Sequence, residues 1–146
     1  MIKYNIHGIL APGIHLISWD DFITDFSFSQ RREQLFTGMK RALIHFRNAG
    51  CRQIYIDGSF VTKKIEPNDY DACWDPAGVD FALLDPMFHR DLHLGTKQHK
   101  MVYLGEFYPS STFEGGSGLT FLDFFQTDKT TGKRKGIILI NLEEVK

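Results

Sequence analysis

Cysteine is scarce in this chain: Cys51 and Cys73 are the only two among its 146 residues. Small secreted domains that depend on disulfides carry more cysteines than this, so the count excludes a disulfide-stapled scaffold. We therefore expect two free thiols, as is typical of proteins in a reducing compartment.

Net charge and long apolar runs are also lacking. The chain has 17 basic and 18 acidic residues, so its overall charge of −1 gives no reason to expect a polyanionic partner. No segment approaches the ~18 apolar residues of a membrane-spanning helix, and the first residues lack the apolar core of a signal peptide. We expect a cytoplasmic protein with no membrane partner.

What the chain does have is 42 % apolar residues and a high aromatic content of 14 %, including 13 phenylalanines. This composition and the chain length are typical of one globular domain. We expect a single domain over residues 1–146, with residues 1–29 as an extended lead and a short helix that pack on it.

Two helices are predicted in the first third of the chain. Ser18 is a suitable N-cap, and acids follow it in the first turn, so a short helix is expected to about Asp25. Residues 30–49 form the stronger helix, because apolar residues recur there at spacings of three and four. The apolar stripe consists of Leu35, Met39, Ala42, Leu43 and Phe46.

Short β-rich segments at residues 53–56, 69–74 and 136–142 predict strands. Residues 79–85 predict one or two helical turns, while the aromatic segment 120–126 suits either a strand or a helix. This alternation predicts an α/β (α+β) fold, a small mixed β-sheet with helices packed on it.

One pair of acids carries a chemical signal. Asp69 and Asp71 are two positions apart on a predicted strand, so their side chains share one face. Two carboxylates so placed suit Mg²⁺, which binds through carboxylates and substrate phosphates. Upstream, Gly58 and Ser59 end the preceding strand, where a glycine allows close approach of a phosphate and a serine donates hydrogen bonds to it. Transfer from a nucleotide triphosphate needs these components.

The pattern Gly-Ser, nine residues, Asp-x-Asp resembles the signature of the DNA-polymerase-β-like (minimal) nucleotidyltransferase superfamily. The wider segments YIDGSFVT (55–62) and DYDACWDP (69–76) are similar to those of a small, largely uncharacterised bacterial family of that superfamily. Counterparts of LAPGIH (10–15), FLDFFQTD (121–128) and KGI (135–137) extend the resemblance over nearly the whole chain.

The resemblance implies that Gly58 and Ser59 bind the triphosphate and that Asp69 and Asp71 bind catalytic Mg²⁺ or Mn²⁺. It implies transfer of a nucleoside monophosphate from a nucleotide triphosphate to a hydroxyl of RNA or protein, in a toxin–antitoxin or defence pair with a cognate partner protein. The alternative is a catalytically inactive module of the same fold that senses nucleotides or binds a partner.

Two positions depart from the superfamily pattern. Asp57 stands before the glycine, where an apolar residue is usual, and we expect it to accept hydrogen bonds from the Gly-Ser turn. A third carboxylate on a later strand is also expected. Asp123 is the favoured candidate, and the other position is occupied by Asn141, which would be a weaker ligand. Glu106 follows a glycine and is interpreted as a turn residue.

Basic residues occur in two loops. Lys63 and Lys64 lie between the two predicted strands and are candidates for holding phosphates, although an ordinary solvated loop is an equal alternative. A second group surrounds a hairpin-like turn and suits either nucleic-acid phosphates or a solvated tip: Lys129, Lys133, Arg134 and Lys135. A polar stretch with His89, Asp91, His93 and His99 fits no closed zinc pattern, so surface histidines are expected there.

Overall fold

Five β-strands form one mixed sheet in the computed structural model of the protein, which describes residues 3–5, 8–89 and 95–146. In spatial order the strands are β1, β5, β2, β3 and β4. Strand β2 is antiparallel to β3 and β5, whereas the pairs β1–β5 and β3–β4 are parallel. The strands are β1 (Gly13–Leu16), β2 (Gln53–Asp57), β3 (Tyr70–Trp74), β4 (Gly105–Pro109) and β5 (Gly136–Asn141).

Helices cover both faces of this sheet, so the predicted mixed α/β fold is confirmed. They are α1 (Trp19–Phe26), α2 (Gln30–Asn48), α3 (Lys97–Tyr103) and α4 (Phe121–Phe125), with 3₁₀ turns at Ser59–Val61, Pro86–Phe88 and Leu142–Glu144. Within the described ranges no helix has both the length and the apolar character needed to cross a bilayer.

The main core lies between α1, α2 and one face of the sheet. Ser29 caps α2 by accepting a hydrogen bond from the Arg32 N–H, and the predicted apolar stripe is fully buried. Its side chains pack on the isoleucines of β2 and β5, which are paired across the two strands. This arrangement fixes β2 in the centre of the sheet: Ile54, Ile56, Ile138 and Ile140 are all 0 % exposed.

A smaller core occupies the opposite face. Phe121 and Phe125 of α4 pack there with Cys73 and Ile137, and the Tyr108 ring stacks on Phe121 at a centroid distance of 4.4 Å. Both cysteines are unpaired and buried, in agreement with the predicted free thiols. On this same face, side chains of β2, β3 and β4 that lie next to α4 form the candidate site.

Several local expectations were wrong. Residues 79–85 form turns rather than a helix, and a 3₁₀ turn follows at Pro86–Phe88. Residues 13–16, within the predicted extended lead, are extended as expected, but they also pair with β5 as strand β1, which was not predicted. Neither α3 nor β4 was predicted, because α3 is short and largely polar and β4 has a glycine and a proline at its ends.

Candidate active site

A row of three carboxylates crosses β2, β3 and β4 near one end of these strands. Asp57 at the end of β2 is paired with Asp71 of β3, and Asp71 is paired with Glu106 of β4. Laterally paired residues point to the same face, with β-carbons about 4.5–5.5 Å apart. Asp69 precedes Asp71 by two residues and therefore lies on that side too.

The Gly58 corner touches this row directly. Gly58 has φ 87° and ψ −167°, a backbone conformation that is essentially restricted to glycine. A β-carbon added there would lie 3.0 Å from Asp71 Oδ2 and 3.4 Å from the Asp71 nitrogen. The predicted contact between the aspartate strand and the glycine corner is therefore present, with Asp71 as the residue that makes it.

The loop that begins at Ser59 is held from beneath by a buried arginine. Arg32 is 0 % exposed, and its guanidinium donates to backbone carbonyls of α1 and of residues 59–64. The shortest of these bonds are 2.6 Å to Phe60 and 2.7 Å to Lys64. Carbonyl oxygens satisfy this cation, and burial lowers the pKa of Arg32 to about 10. Arg32 therefore fixes the conformation of the loop without contacting the carboxylates.

Two lysines from the segment between α4 and β5 approach the row from one side. Lys135 Nζ lies 3.1 Å from each oxygen of Asp57, which is only 2 % exposed. Lys129 is carried by the hairpin that the Thr127–Arg134 bridge closes, and its ammonium lies over the Phe124 ring. Of the four basic residues around the predicted turn, Lys129 and Lys135 line the site.

A third lysine approaches from the other side. Lys100 of α3 places its Nζ 3.1 Å from Asp69 Oδ2 and 2.9 Å from Glu106 Oε1. The second oxygen of Glu106 accepts hydrogen bonds from the hydroxyls of Thr96 and Tyr108. Each acid of the group except Asp71 therefore has a lysine partner.

The electrostatics single out Asp71. Burial, followed by the negative charges of Glu106, Asp69 and Asp57, raises the pKa of Asp71 to about 7. Burial also raises the pKa of Asp57, although Lys135 opposes the shift. Burial acts to raise the pKa of Glu106 as well, but its hydrogen bonds to Tyr108, Thr96 and Lys100 leave it below the ordinary value. Asp71 is therefore the acid of this group whose negative charge is not balanced by an ion pair with a lysine.

Two adjoining cavities meet at Asp71. The first, of about 450 Å³, is lined by Asp57, the Gly58–Ser59 corner, Thr62, Lys129 and Lys135. The second, of about 360 Å³, is lined by Glu106, Tyr108, Glu114 and Lys129. Four residues line both cavities: Asp71, Phe124, Phe125 and Lys129. Of the carboxylate row, Asp57 lines only the first cavity and Glu106 only the second.

The acids of the site suit a cation that is bound partly by the protein and partly by substrate phosphates. In the described part of the chain, no three acid, histidine or cysteine side chains are arranged to enclose a metal ion. Mg²⁺, however, is commonly held by one or two carboxylates together with substrate phosphates and water. Asp69 and Asp71 supply such a pair. Asp71 lines a cavity with basic and hydroxyl groups, whereas Asp69 lines neither cavity and is ion-paired with Lys100.

The two positions considered for a third carboxylate do not join this site. Asp123 was a candidate on a strand, but Thr120 accepts a hydrogen bond from the Asp123 N–H and starts α4, which leaves Asp123 exposed and outside both cavities. Asn141 is paired with Gln53 on β2. Gln53 lies four residues before Asp57 on that strand, which corresponds to about 13 Å between the two. Glu106, interpreted as a turn residue, instead lies on β4 directly beside Asp71.

The predicted phosphate-binding lysines are also outside the cavities. Lys63 and Lys64 are exposed, and the Lys63 ammonium lies 5.3 Å from the centroid of the Tyr4 ring. Thr62, just before them, does line the first cavity. Gly58, Ser59 and Asp71 are thus brought together by the structure, whereas Lys63 and Lys64 are not.

The histidine stretch is only partly described. Asp91 and His93 lie outside the described residues. His99, expected at the surface, is 3 % exposed, and its two ring nitrogens are hydrogen-bonded to the Met87 carbonyl and the Phe107 N–H. It is a structural residue of the α3–β4 corner.

One signal in the sequence could have identified Lys135 as a residue of the site. An acid at a normally apolar position, as Asp57 is, needs a cation when it becomes buried. Lys135 immediately precedes β5, which pairs with β2. For Lys100 and Glu106 no comparable signal exists, because β4 and α3 are not recognisable from their residues.

The fold and the site together define a mixed α/β domain whose carboxylates meet beside a glycine corner. The chain belongs to the Family of unknown function (DUF6932), whose family model matches residues 2–141. No curated protein and no solved structure matches the chain. The family description carries no activity, so function must be argued from the site itself.

Proposed function

We propose that the protein is a metal-dependent nucleotidyltransferase, which moves a nucleoside monophosphate from a nucleotide triphosphate to an acceptor hydroxyl of RNA or protein. The observation that carries the proposal is the contact of Asp71 with the Gly58 corner, at the meeting point of two cavities. Carboxylates and a phosphate-compatible backbone corner are the two parts that this chemistry requires side by side.

Asp69 and Asp71 would hold Mg²⁺ or Mn²⁺ in this proposal. When bound, the cation supplies charge neutralisation at the triphosphate. In the metal-free protein Asp71 retains a proton near neutral pH, and it gives that proton up when a cation binds. Metal binding is therefore expected to strengthen as the pH rises through about 7.

The triphosphate would lie in the first cavity. Gly58 leaves room for a phosphate oxygen, and the Ser59 hydroxyl and the local N–H groups are donors for it. Lys129 and Lys135 add positive charge on the cavity wall. The second cavity, with Glu106 and Tyr108, is open for the acceptor. A cytoplasmic location and a cognate partner protein remain parts of this proposal.

A transfer assay tests the proposal. The chain is incubated with Mg²⁺, bulk tRNA and each of the four ribonucleotide triphosphates labelled at the α-phosphate, and label is followed in RNA and in protein. We expect metal-dependent labelling by the wild type, loss of labelling in Asp69→Asn and Asp71→Asn, and retention in Asp123→Asn. Labelling that survives in Asp71→Asn would overturn the proposal.

A catalytically inactive module that senses nucleotides is the second candidate. The lysine partners of Asp57, Asp69 and Glu106 favour it, because they satisfy three of the four acids without a metal. Its signature is metal-dependent stabilisation by a triphosphate, seen as a higher melting temperature, with no label transferred to any acceptor.

A further inference from the structure

Lys100 lies between two acids of the candidate site. Its ammonium lies between Asp69 and Glu106, at 3.1 and 2.9 Å from one oxygen of each. A lysine ammonium has three donors and no acceptor. Two of its N–H groups are therefore directed at acids that flank Asp71.

The surroundings of Glu106 are arranged for this lysine rather than for a metal. Its Oε1 accepts from Lys100, while its Oε2 accepts from the hydroxyls of Thr96, at 2.7 Å, and Tyr108. Both oxygens thus have protein donors. A second metal ion bound at Glu106 Oε1 would have to displace Lys100.

The helix that carries Lys100 is anchored one turn further on. Tyr70 of β3 donates a hydrogen bond of 2.8 Å to the Tyr103 carbonyl, and Arg41 of α2 donates one of 2.6 Å to Val102. A β-carbon on Gly38 would lie only 2.5 Å from the Tyr103 oxygen, so α2 and α3 are in close contact. This anchoring keeps the lysine near the acids, which raises its effective concentration there although its side chain is 49 % exposed.

We propose that Lys100 takes the place of a second metal ion, so that the site accepts one divalent cation, held by Asp69 and Asp71. Lys100 neutralises Asp69 and Glu106. Glu106 is then a positioning residue for Lys100. The inference rests on the proposed function, because it assumes the metal site of that reaction.

Counting bound Mn²⁺ by electron paramagnetic resonance, with Mn²⁺ alone as the probe, tests this inference. We expect one Mn²⁺ per chain in the wild type and two in Lys100→Met, where the Asp69–Glu106 pair has lost its cation. Lys100→Arg, which keeps the charge, should bind one. Lys97→Met is the matched control, since it removes the same charge from an exposed position of the same helix and should also leave the count at one.

The outcomes separate the inference from the proposed function. Two Mn²⁺ in the wild type, or one in both the wild type and Lys100→Met, overturns the inference while the metal site of the proposed function stands. No Mn²⁺ in the wild type also overturns the inference, whatever Lys100→Met binds. The proposed function is then decided separately by the transfer assay, because substrate phosphates complete the metal site in that reaction. If Lys100→Met fails to fold in a thermal melt, the wild-type count and Lys100→Arg decide the matter.

Discussion

Burial of Asp71 reduces the stability of the folded protein at neutral pH. Its pKa of about 7 exceeds the value of about 3.9 for an unfolded aspartate, so between these pH values the folded state binds the additional proton. The free energy of unfolding therefore falls as pH rises from about 4 to about 7, and it stays lower above that. A buried acid that lowers stability in this way is typical of a binding or catalytic site.

Asp71→Asn is accordingly expected to stabilise the protein in the absence of metal. At about pH 8 the gain should be on the order of 2–4 kcal/mol, and near pH 3 it should nearly vanish, because the wild-type carboxyl is then mostly protonated in both states. Urea unfolding in EDTA at the two pH values measures this difference. The exposed Asp123→Asn serves as the control and should show no comparable gain. A less stable Asp71→Asn at pH 8 would contradict the electrostatic account.

Gly58 is the second residue on which the site depends. Gly58→Ala places a side chain in a glycine-only conformation and brings its β-carbon against Asp71 Oδ2. We expect a loss of about 1–3 kcal/mol in stability and at least roughly tenfold weaker metal-dependent nucleotide binding, equal to ~1.4 kcal/mol.

A second glycine distinguishes the effect of backbone strain from the effect of the contact with Asp71. Gly118 also has a positive φ, 74°, but a β-carbon there meets no atom within 4 Å. Gly118→Ala should therefore reduce stability without weakening nucleotide binding. Equal binding losses in both variants, measured by calorimetric titration, would show that the contact with Asp71 is not what matters.

At the scale of elements, the connection between β2 and β3 depends on helix α2. Arg32 reaches from the first turn of that helix to the carbonyls of residues 59–64, and no purely apolar side chain can satisfy them. Arg32→Met is expected to lower the free energy of unfolding by about 2–4 kcal/mol, because buried carbonyls lose their donors.

Replacement by lysine checks the geometry of this contact. A lysine side chain offers a single ammonium in place of the planar guanidinium, so Arg32→Lys should recover little of the lost stability. Urea denaturation of the wild type and the two variants provides the measurement. If Arg32→Lys is as stable as the wild type, the charge rather than the multiple hydrogen bonds of the arginine supports the loop.

The elements that the sequence predicted are those with a strong local pattern. Helix α2 has a long apolar stripe, and β2 and β3 have β-rich segments bounded by turn residues. Strand β4 alternates buried and partly buried residues over only five positions, and its glycine is there because a β-carbon would lie 2.4 Å from the Tyr70 ring. That glycine resembles a turn signal, so Glu106 was assigned to a turn.

At the scale of the whole molecule, the pairing of strands decides which acids meet. Asp69, Asp71 and the glycine corner were predictable, because they lie at the facing ends of two strands that are consecutive in the chain and paired with each other. The places of Glu106 and Lys135 depend on β4 and β5 lying on either side of the β2–β3 pair. That order results from long-range packing, which local residue patterns do not encode.

The central claim is that Asp71 and the Gly58 corner bind a nucleotide triphosphate together with a divalent cation. Calorimetric titration of each ribonucleotide triphosphate at about pH 8, with Mg²⁺ or with EDTA, tests it most directly. The account predicts that at least one triphosphate binds, only with Mg²⁺, and that binding is lost in Asp71→Asn and kept in Asp123→Asn. Failure of all four to bind with Mg²⁺, or unchanged binding in Asp71→Asn, would contradict it.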